Sequence, residues 1–217
     1  MKTARDPFRF STAAYITRVC PLEAGSLAEL SEALERSSDA SIFYHTFQSL
    51  HRHHFLTEGY SNDFAQWVLA ACNCSELAER LASFDIRDYL SLADLRRDFC
   101  WAVRDYCQTY PSRAEAPAFE SFDFLEAVEV AVPLDLEAAN LREFVEVLAR
   151  LSHASIYFHF ISSRLRLHLR TNDFSLWLER NLGLPSLADR INRIDIYTHT
   201  LEGVQRTLLD LIARQGA

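Results

Sequence analysis

Ser41-Ile-Phe-Tyr-His45 returns 114 residues later as Ser155-Ile-Tyr-Phe-His159, and this return decides how the whole chain is read. Asn62-Asp-Phe-Ala-Gln-Trp67 comes back as Asn172-Asp-Phe-Ser-Leu-Trp177, and Phe84-Asp-Ile86 as Ile194-Asp-Ile196. At an offset of 114, six of the fifteen positions from Ser41 to Phe55 are identical. At an offset of 110, nine of the twenty-five from Asn62 to Ile86 are identical. The change of offset places four extra residues in the first copy, around Thr57-Glu-Gly-Tyr60. The same motifs in the same order mark an internal duplication. The copies span 8–108 and 118–215, and the segment 109–117, with Tyr110-Pro-Ser-Arg-Ala-Glu-Ala-Pro117, reads as a linker.

Within each copy the pattern is helical. Leu27, Leu30 and Leu34 recur at helix spacing and are matched by Leu141, Phe144 and Leu148. Asn62 and Asn172 suit N-caps, because the side-chain oxygen accepts a bond from an orphan N–H of the first turn. Asp63 and Asp173 then fall in that first turn, where the helix dipole favours negative charge. A helix from Asp173 should stop near Gly183, ahead of Pro185, and Ser186-Leu-Ala-Asp189 resembles a capping box opening the next one. Long helices are predicted over 88–108 and 197–214. Phe8-Arg-Phe10 and Phe119 to Phe124 read as extended or irregular lead-ins. The expected class is all-α, with two homologous units of about five helices each packed about a pseudo-twofold axis.

Bulk composition narrows the function. The chain has 217 residues, 49% hydrophobic and 24% charged, with five glycines and a net charge of −8. Lys2 is its one lysine. Phosphate neutralisation needs a basic surface, so no nucleic acid is expected as a partner. An anionic membrane surface is disfavoured for the same reason. No apolar run of about 18 residues occurs, and the N-terminus lacks the apolar core of a signal peptide, so the expected place is the cytoplasm. Five cysteines, all in the first half, do not form a disulfide framework. Cys72-Asn-Cys74 has metal-ligand character, but the second copy carries Leu182-Gly-Leu184 there.

On a wheel of about 100° per residue, the positions shared by the two helices fall within a wedge of about 100°. They are Ser41, Ile42, His45, Ser49 and Arg52, with Ser155, Ile156, His159, Ser163 and Arg166. The opposite face carries Phe43, Phe47, Leu50 and His54, which is the face expected to meet the core. His54 and its counterpart His168 therefore read as structural. His51 and His53 have no histidine counterpart. The shared stripe makes His45, Ser49, Arg52, His159, Ser163 and Arg166 the candidate ligand-binding set. A metal would draw on His45, Asp63, His159 and Asp173, since ligands on one helix need i, i+4 spacing that His45 and His54 lack. Asn62 and Asn172 read as caps, Trp67 and Trp177 as core anchors, and Asp85 and Asp195 as structural partners for the arginines. No catalytic residue is assigned: there is no GxGxxG, P-loop or GxSxG, and no ExxH pair at matching positions.

The set Ser41-Ile-Phe-Tyr-His45, His53-His-Phe-Leu56, Asn62-Asp-Phe-Ala-Gln-Trp67 and Leu81-Ala-Ser-Phe-Asp-Ile86 resembles an uncharacterised family of bacterial and archaeal proteins. Asp6-Pro-Phe-Arg-Phe10 also resembles that family's start. The resemblance implies a cytoplasmic prokaryotic protein and carries over no activity and no cofactor. The second copy departs from the pattern at Leu167-His168, where the paired histidines are lost. The leading expectation is a non-catalytic binding or regulatory module that recognises a small anionic ligand or a partner protein through the two stripes. Two rivals stand beside it. One is a metal-dependent hydrolase or lyase using His45 or His159 with nearby carboxylates. The other is a purely structural protein whose stripes hold the units together.

Overall fold

The computed structural model describes residues 3–48, 60, 62–167, 169–196 and 199–215. His51, His53, His54, Ser49, Arg52 and His168 lie outside them. The class is α+β, which corrects the all-α expectation: 57% of the described residues are helical and 21% lie in a two-stranded antiparallel sheet. Its strands are β1 (Thr3–Ala24) and β2 (Phe122–Asn140), far longer than the lead-ins expected there. The strand signal is the period-2 alternation of Phe122, Phe124, Val128, Val130 and Val132. Pro7, Pro21 and Pro133 argue against a central strand, but each strand of a two-stranded sheet has a free edge and tolerates proline there.

The contacts divide the chain into two compact units. One comprises Ile16–Val128; the other comprises Met1–Tyr15 together with Glu129–Ala217. Each strand thus begins among the helices of one copy and ends among those of the other. In the unit holding residues 129–217, the start of β1 supplies Phe8 and Phe10 to the core. These rings pack on Phe144, Phe174 and Trp177. In the unit Ile16–Val128, the start of β2 supplies Phe122 and Phe124, which pack on Phe64, with Trp67 against Phe122. The equivalent rings sit in equivalent places, but each core completes itself differently. Phe99 fills one, against Phe64, while Phe144 fills the other where the first copy has Leu30.

The helices of the Ile16–Val128 unit are α1 (Leu27–Arg36), α2 (Asp39–Phe43), α3 (Asp63–Ala70), α4 (Ser75–Ala82), α5 (Leu92–Thr109) and the short α6 (Pro111–Ala114). The other unit has α7 (Leu141–Leu148), α8 (His153–Ile156), α9 (Ser163–Arg166), α10 (Asp173–Leu182), α11 (Pro185–Asn192) and α12 (Leu201–Ala213). Caps repeat with the sequence. Asn62 accepts from the N–H of Ala65 at 2.8 Å, and Asn172 from that of Ser175 at 3.0 Å. At the far ends of these helices, Asn73 (φ 51°) and Gly183 (φ 63°) take the left-handed conformation at the same repeat position. The N–H of Cys74 then reaches Val68 O, and that of Leu184 reaches Leu178 O. The Cys72-Asn-Cys74 motif is therefore a helix end. Burial first, then the Cys74 and Cys107 thiols, push Cys72 up to about 12, so it stays protonated at neutral pH. Helix α11 opens differently from the expected capping box: no side chain caps it, and Pro185 holds its first turn.

One feature is shared and unforeseen. After α2 the chain continues as a π-helix over Tyr44–Gln48, and after α8 as another over Tyr157–Ser162. The i→i+5 bonding pattern widens the turn, so a 100° wheel misplaces the residues that follow. Both faces of this segment are buried: Ser41, Ile42 and His45 as well as Phe43 and Phe47.

Candidate functional site

The π-helices carry His45 and His159 into the two cores, 2% and 3% exposed. In each case the ring joins a strand to a helix N-terminus. The N–H of Leu125 on β2 donates to His45 Nε2 at 2.8 Å, and His45 Nδ1 lies 2.9 Å from Asp63 Oδ2. The N–H of Ser11 on β1 donates to His159 Nε2 at 2.8 Å, and His159 Nδ1 lies 2.8 Å from Asp173 Oδ2. A nitrogen that accepts an N–H carries no proton, so the proton of each neutral ring sits on Nδ1 and points at the carboxylate. This arrangement leaves neither nitrogen with a spare lone pair. The tryptophans repeat the linkage one turn on. Trp67 Nε1–H donates to Glu120 O at 2.7 Å, and Trp177 Nε1–H to Asp6 O at 2.9 Å.

The remaining stripe residues serve the same joint in the second copy. Ser163 Oγ donates to His159 O at 2.6 Å and accepts from the N–H of Asp173 at 3.3 Å. Arg166 Nη2 lies 2.9 Å from Asp173 Oδ2 and its Nη1 3.7 Å from Glu129 Oε1. Glu129 also accepts hydrogen bonds from Tyr15 Oη, at 3.2 Å, and from Ser162 Oγ. Burial foremost, with Glu129 close by, raises the Tyr15 hydroxyl above its ordinary range. Asp85 and Asp195 lie in the turns after α4 and α11. Asp85 O accepts from the N–H of Asp88 at 3.0 Å, and Asp195 O lies 2.8 Å from His199 Nδ1. Among the described residues, no three or more His, Cys, Asp or Glu side chains gather as metal ligands.

Beside the His159–Asp173 pair lies a pocket of about 460 Å³. Arg5, Arg9 and Arg180 line it with two carboxylates, Asp6 and Asp173, and with Trp177 and Asn181. Arg9 is held by Glu137 at 3.0 Å. Arg5 and Arg180 have no acidic partner among the described residues, and both side chains are exposed. At the equivalent positions the first copy carries Phe119 for Arg5, Asp123 for Arg9 and Ala70 for Arg180. The arginines are specific to one copy. Sequence comparison restricted to identical positions passes over them, since they matter by differing.

Arg164, on α9, is 5% exposed, and its Nε has no hydrogen-bond partner. Nη2 donates to Asn192 O at 3.3 Å, and the guanidinium carbon lies 5.6 Å from the Phe160 ring centre. No carboxylate pairs with it among the described residues. Burial pushes it down to about 10, so it remains a cation at neutral pH. A buried ion costs on the order of several kcal/mol unless paired. The C-terminal carbonyls of α11 return about 2 kcal/mol at best.

The model of DUF5752, a family of unknown function, matches residues 5–213, and the chain belongs to that family. Among solved structures it is similar to OrfY from Thermoproteus tenax, at 29% identity and a TM-score of 0.86. The likeness covers 98% of this chain and 97% of that one. No curated protein matches the chain.

Proposed function

We propose that this member of DUF5752 is a non-catalytic binding module that takes a small oxyanion, a carboxylate or a phosphate, in the pocket beside Asp173. The observation that carries the reading is the pair Arg5 and Arg180. They line the pocket without acidic partners among the described residues, in a chain of net charge −8. Arg166 and His159 already engage Asp173, which leaves Asp6 as the lining carboxylate set against the three arginines. Guanidinium groups match the planar oxygens of a carboxylate or phosphate and bond them in pairs.

The buried joints support a non-catalytic role. General base catalysis needs a free lone pair within reach of the substrate. Both ring nitrogens of His45 and of His159 are engaged. The same engagement counts against their use as metal ligands. Among the described residues no helix is long and apolar enough to cross a membrane, and the proposed place of action is the cytoplasm.

Calorimetric titration of the full chain with inorganic phosphate and with citrate tests the reading. Each charge-assisted contact is worth at least about 1.5 kcal/mol, so Arg5→Ala with Arg180→Ala should weaken binding about 100-fold. Phe119→Arg with Ala70→Arg in the first copy is the converse test and should add a weak second site. Binding that survives the double alanine variant unchanged sinks the proposal.

A further inference from the structure

Arg164 sits apart from that pocket, whose lining does not include it. Its counterpart in the first copy is Leu50, which carries no charge. The second copy instead keeps a guanidinium there, almost wholly buried, with Nε unpartnered and one long bond to Asn192 O. An arginine has five N–H donors. Here Nη2 meets one main-chain carbonyl at 3.3 Å and Nε meets none, and among the described residues only the Phe160 ring and the carbonyl end of α11 answer the charge. Capping the end of α11 needs a single donor and no charge.

Polar groups gather at the end of α11. Asn192 Oδ1 accepts from Asn172 Nδ2 at 2.9 Å and from Thr171 Oγ1 at 3.4 Å. Thr171 and Asn172 thus hold the shelf from which Asn192 O meets Arg164. Leu169, buried and at φ 63°, donates its N–H to Arg164 O at 2.8 Å. The turn after α9 therefore closes back on the arginine.

We propose that Arg164 anchors a second anion site, in which a small oxyanion docks on the guanidinium between α9 and the C-terminal end of α11. The oxyanion supplies the paired acceptors that the protein withholds. Both phosphate and carboxylate have this chemistry, and the fork geometry of arginine suits either. This site stands independently of the pocket beside Asp173.

The test uses the full chain labelled with ¹⁵N and follows the Arg164 Nε–H signal, assigned by its loss in Arg164→Leu. Inorganic phosphate and acetate are titrated separately, in the parent and in the Arg5→Ala/Arg180→Ala background. The expected result is a saturable shift of this one signal in both backgrounds, larger for the oxyanion that fits. Thermal melts give the second readout. Arg164→Leu should melt no lower than the parent in anion-free buffer and should lose the anion-dependent rise that remains in the double alanine background. Arg164→Lys, which keeps the charge but not the fork, should weaken that rise at least tenfold in the phosphate concentration needed. An Arg164 signal that stays in place through both titrations overturns the proposal. So does an Arg164→Leu variant that melts lower without anion and responds as before. Loss of binding confined to the Arg5 and Arg180 variants would speak for the pocket alone and against this site.

Discussion

At the His159 end of the repeat, Arg5 and Arg180 line a pocket; at the His45 end, the same positions hold Phe119, 92% exposed, and Ala70. The joints beneath are nearly superimposable in their bonds. Each has a strand N–H on Nε2, a helix-start carboxylate on Nδ1, and a tryptophan N–H on the strand carbonyl five residues before that N–H. What the copies share is thus the means of fixing a strand to a helix. What they do not share is the surface chemistry above it. In a duplicated chain, identity between copies reports the architecture both must keep, and divergence marks where one copy was free to change its surface.

The largest effect should come from breaking the joint itself. His45→Ala leaves the Leu125 N–H and the Asp63 carboxylate without the ring and opens a void among Phe64, Phe122 and Phe124. His159→Ala does the same to Ser11, Asp173, Phe8 and Phe174. Each should cost about 4 kcal/mol, from lost hydrogen bonds and lost packing together. Urea unfolding would measure both. If one variant loses under about 1 kcal/mol while the other loses the full amount, the joints are not equivalent and the shared stripe has a second task in the costly copy.

Acid should separate the copies further. Glu126 on β2 is buried in the Ile16–Val128 unit, where Arg18 and Ser38 hold its carboxylate. Burial by itself raises its pKa, but the bonds from Ser38 and Arg18 outweigh it and leave the group below its ordinary value of 4.5. The corresponding position in the other copy is Thr12, which carries no charge. A carboxyl depressed in the folded state stabilises fully above its unfolded pKa, and this contribution fades as pH falls through the lower folded value. Glu126→Gln should therefore cost about 1–2 kcal/mol at neutral pH and flatten the loss of stability below pH 4.5. Chemical denaturation followed from neutral pH down through that window reads the effect. An acid limb unchanged in Glu126→Gln would show that this carboxylate carries no linkage.

Much of this is legible in the sequence, and the gaps have physical causes. The Asn caps and the stop at Gly183 are local signals, and they sit where such chemistry puts them. The strands are hidden because only their ends are buried, as with Phe8, Phe10, Phe122 and Phe124, while Ile16, Val19, Val130 and Val132 are exposed. Half-buried alternation without glycine-marked hairpins gives a weak period-2 signal. The stripe is real as a set of shared residues, but of its described members Ser41, Ile42, His45, Ser155, Ile156, His159 and Ser163 are buried, while Arg166 reaches the surface. A wheel assumes an α-helix through what is a π-helical segment, and the strand that covers it comes from the other copy's lead-in. No local pattern announces that Phe122 will meet His45 or that Phe8 will meet His159. Arg164 gives no sequence signal because its meaning depends on a missing partner, which no sequence shows.

The smallest expected difference lies at the caps. Replacing Asn62 or Asn172 by Ala removes one acceptor for a helix-start N–H and should cost about 1 kcal/mol in either copy. Serine separates the two functions of the side chain, because its hydroxyl caps but cannot reach as the amide does. The amide of Asn62 donates to Leu81 O at 3.1 Å, a single carbonyl at the end of α4. The amide of Asn172 donates to Asn192 Oδ1 and to Ser175 Oγ, tying the cap to the residue whose carbonyl meets Arg164. Asn62→Ser should then cost less than about 1 kcal/mol and stay local. Asn172→Ser should cost slightly more and should also move the Arg164 Nε–H signal in the absence of any anion. If both serine variants behave alike by this signal, the polar shelf does not position Arg164, and the two copies differ in the residue at 164 rather than in the setting built around it.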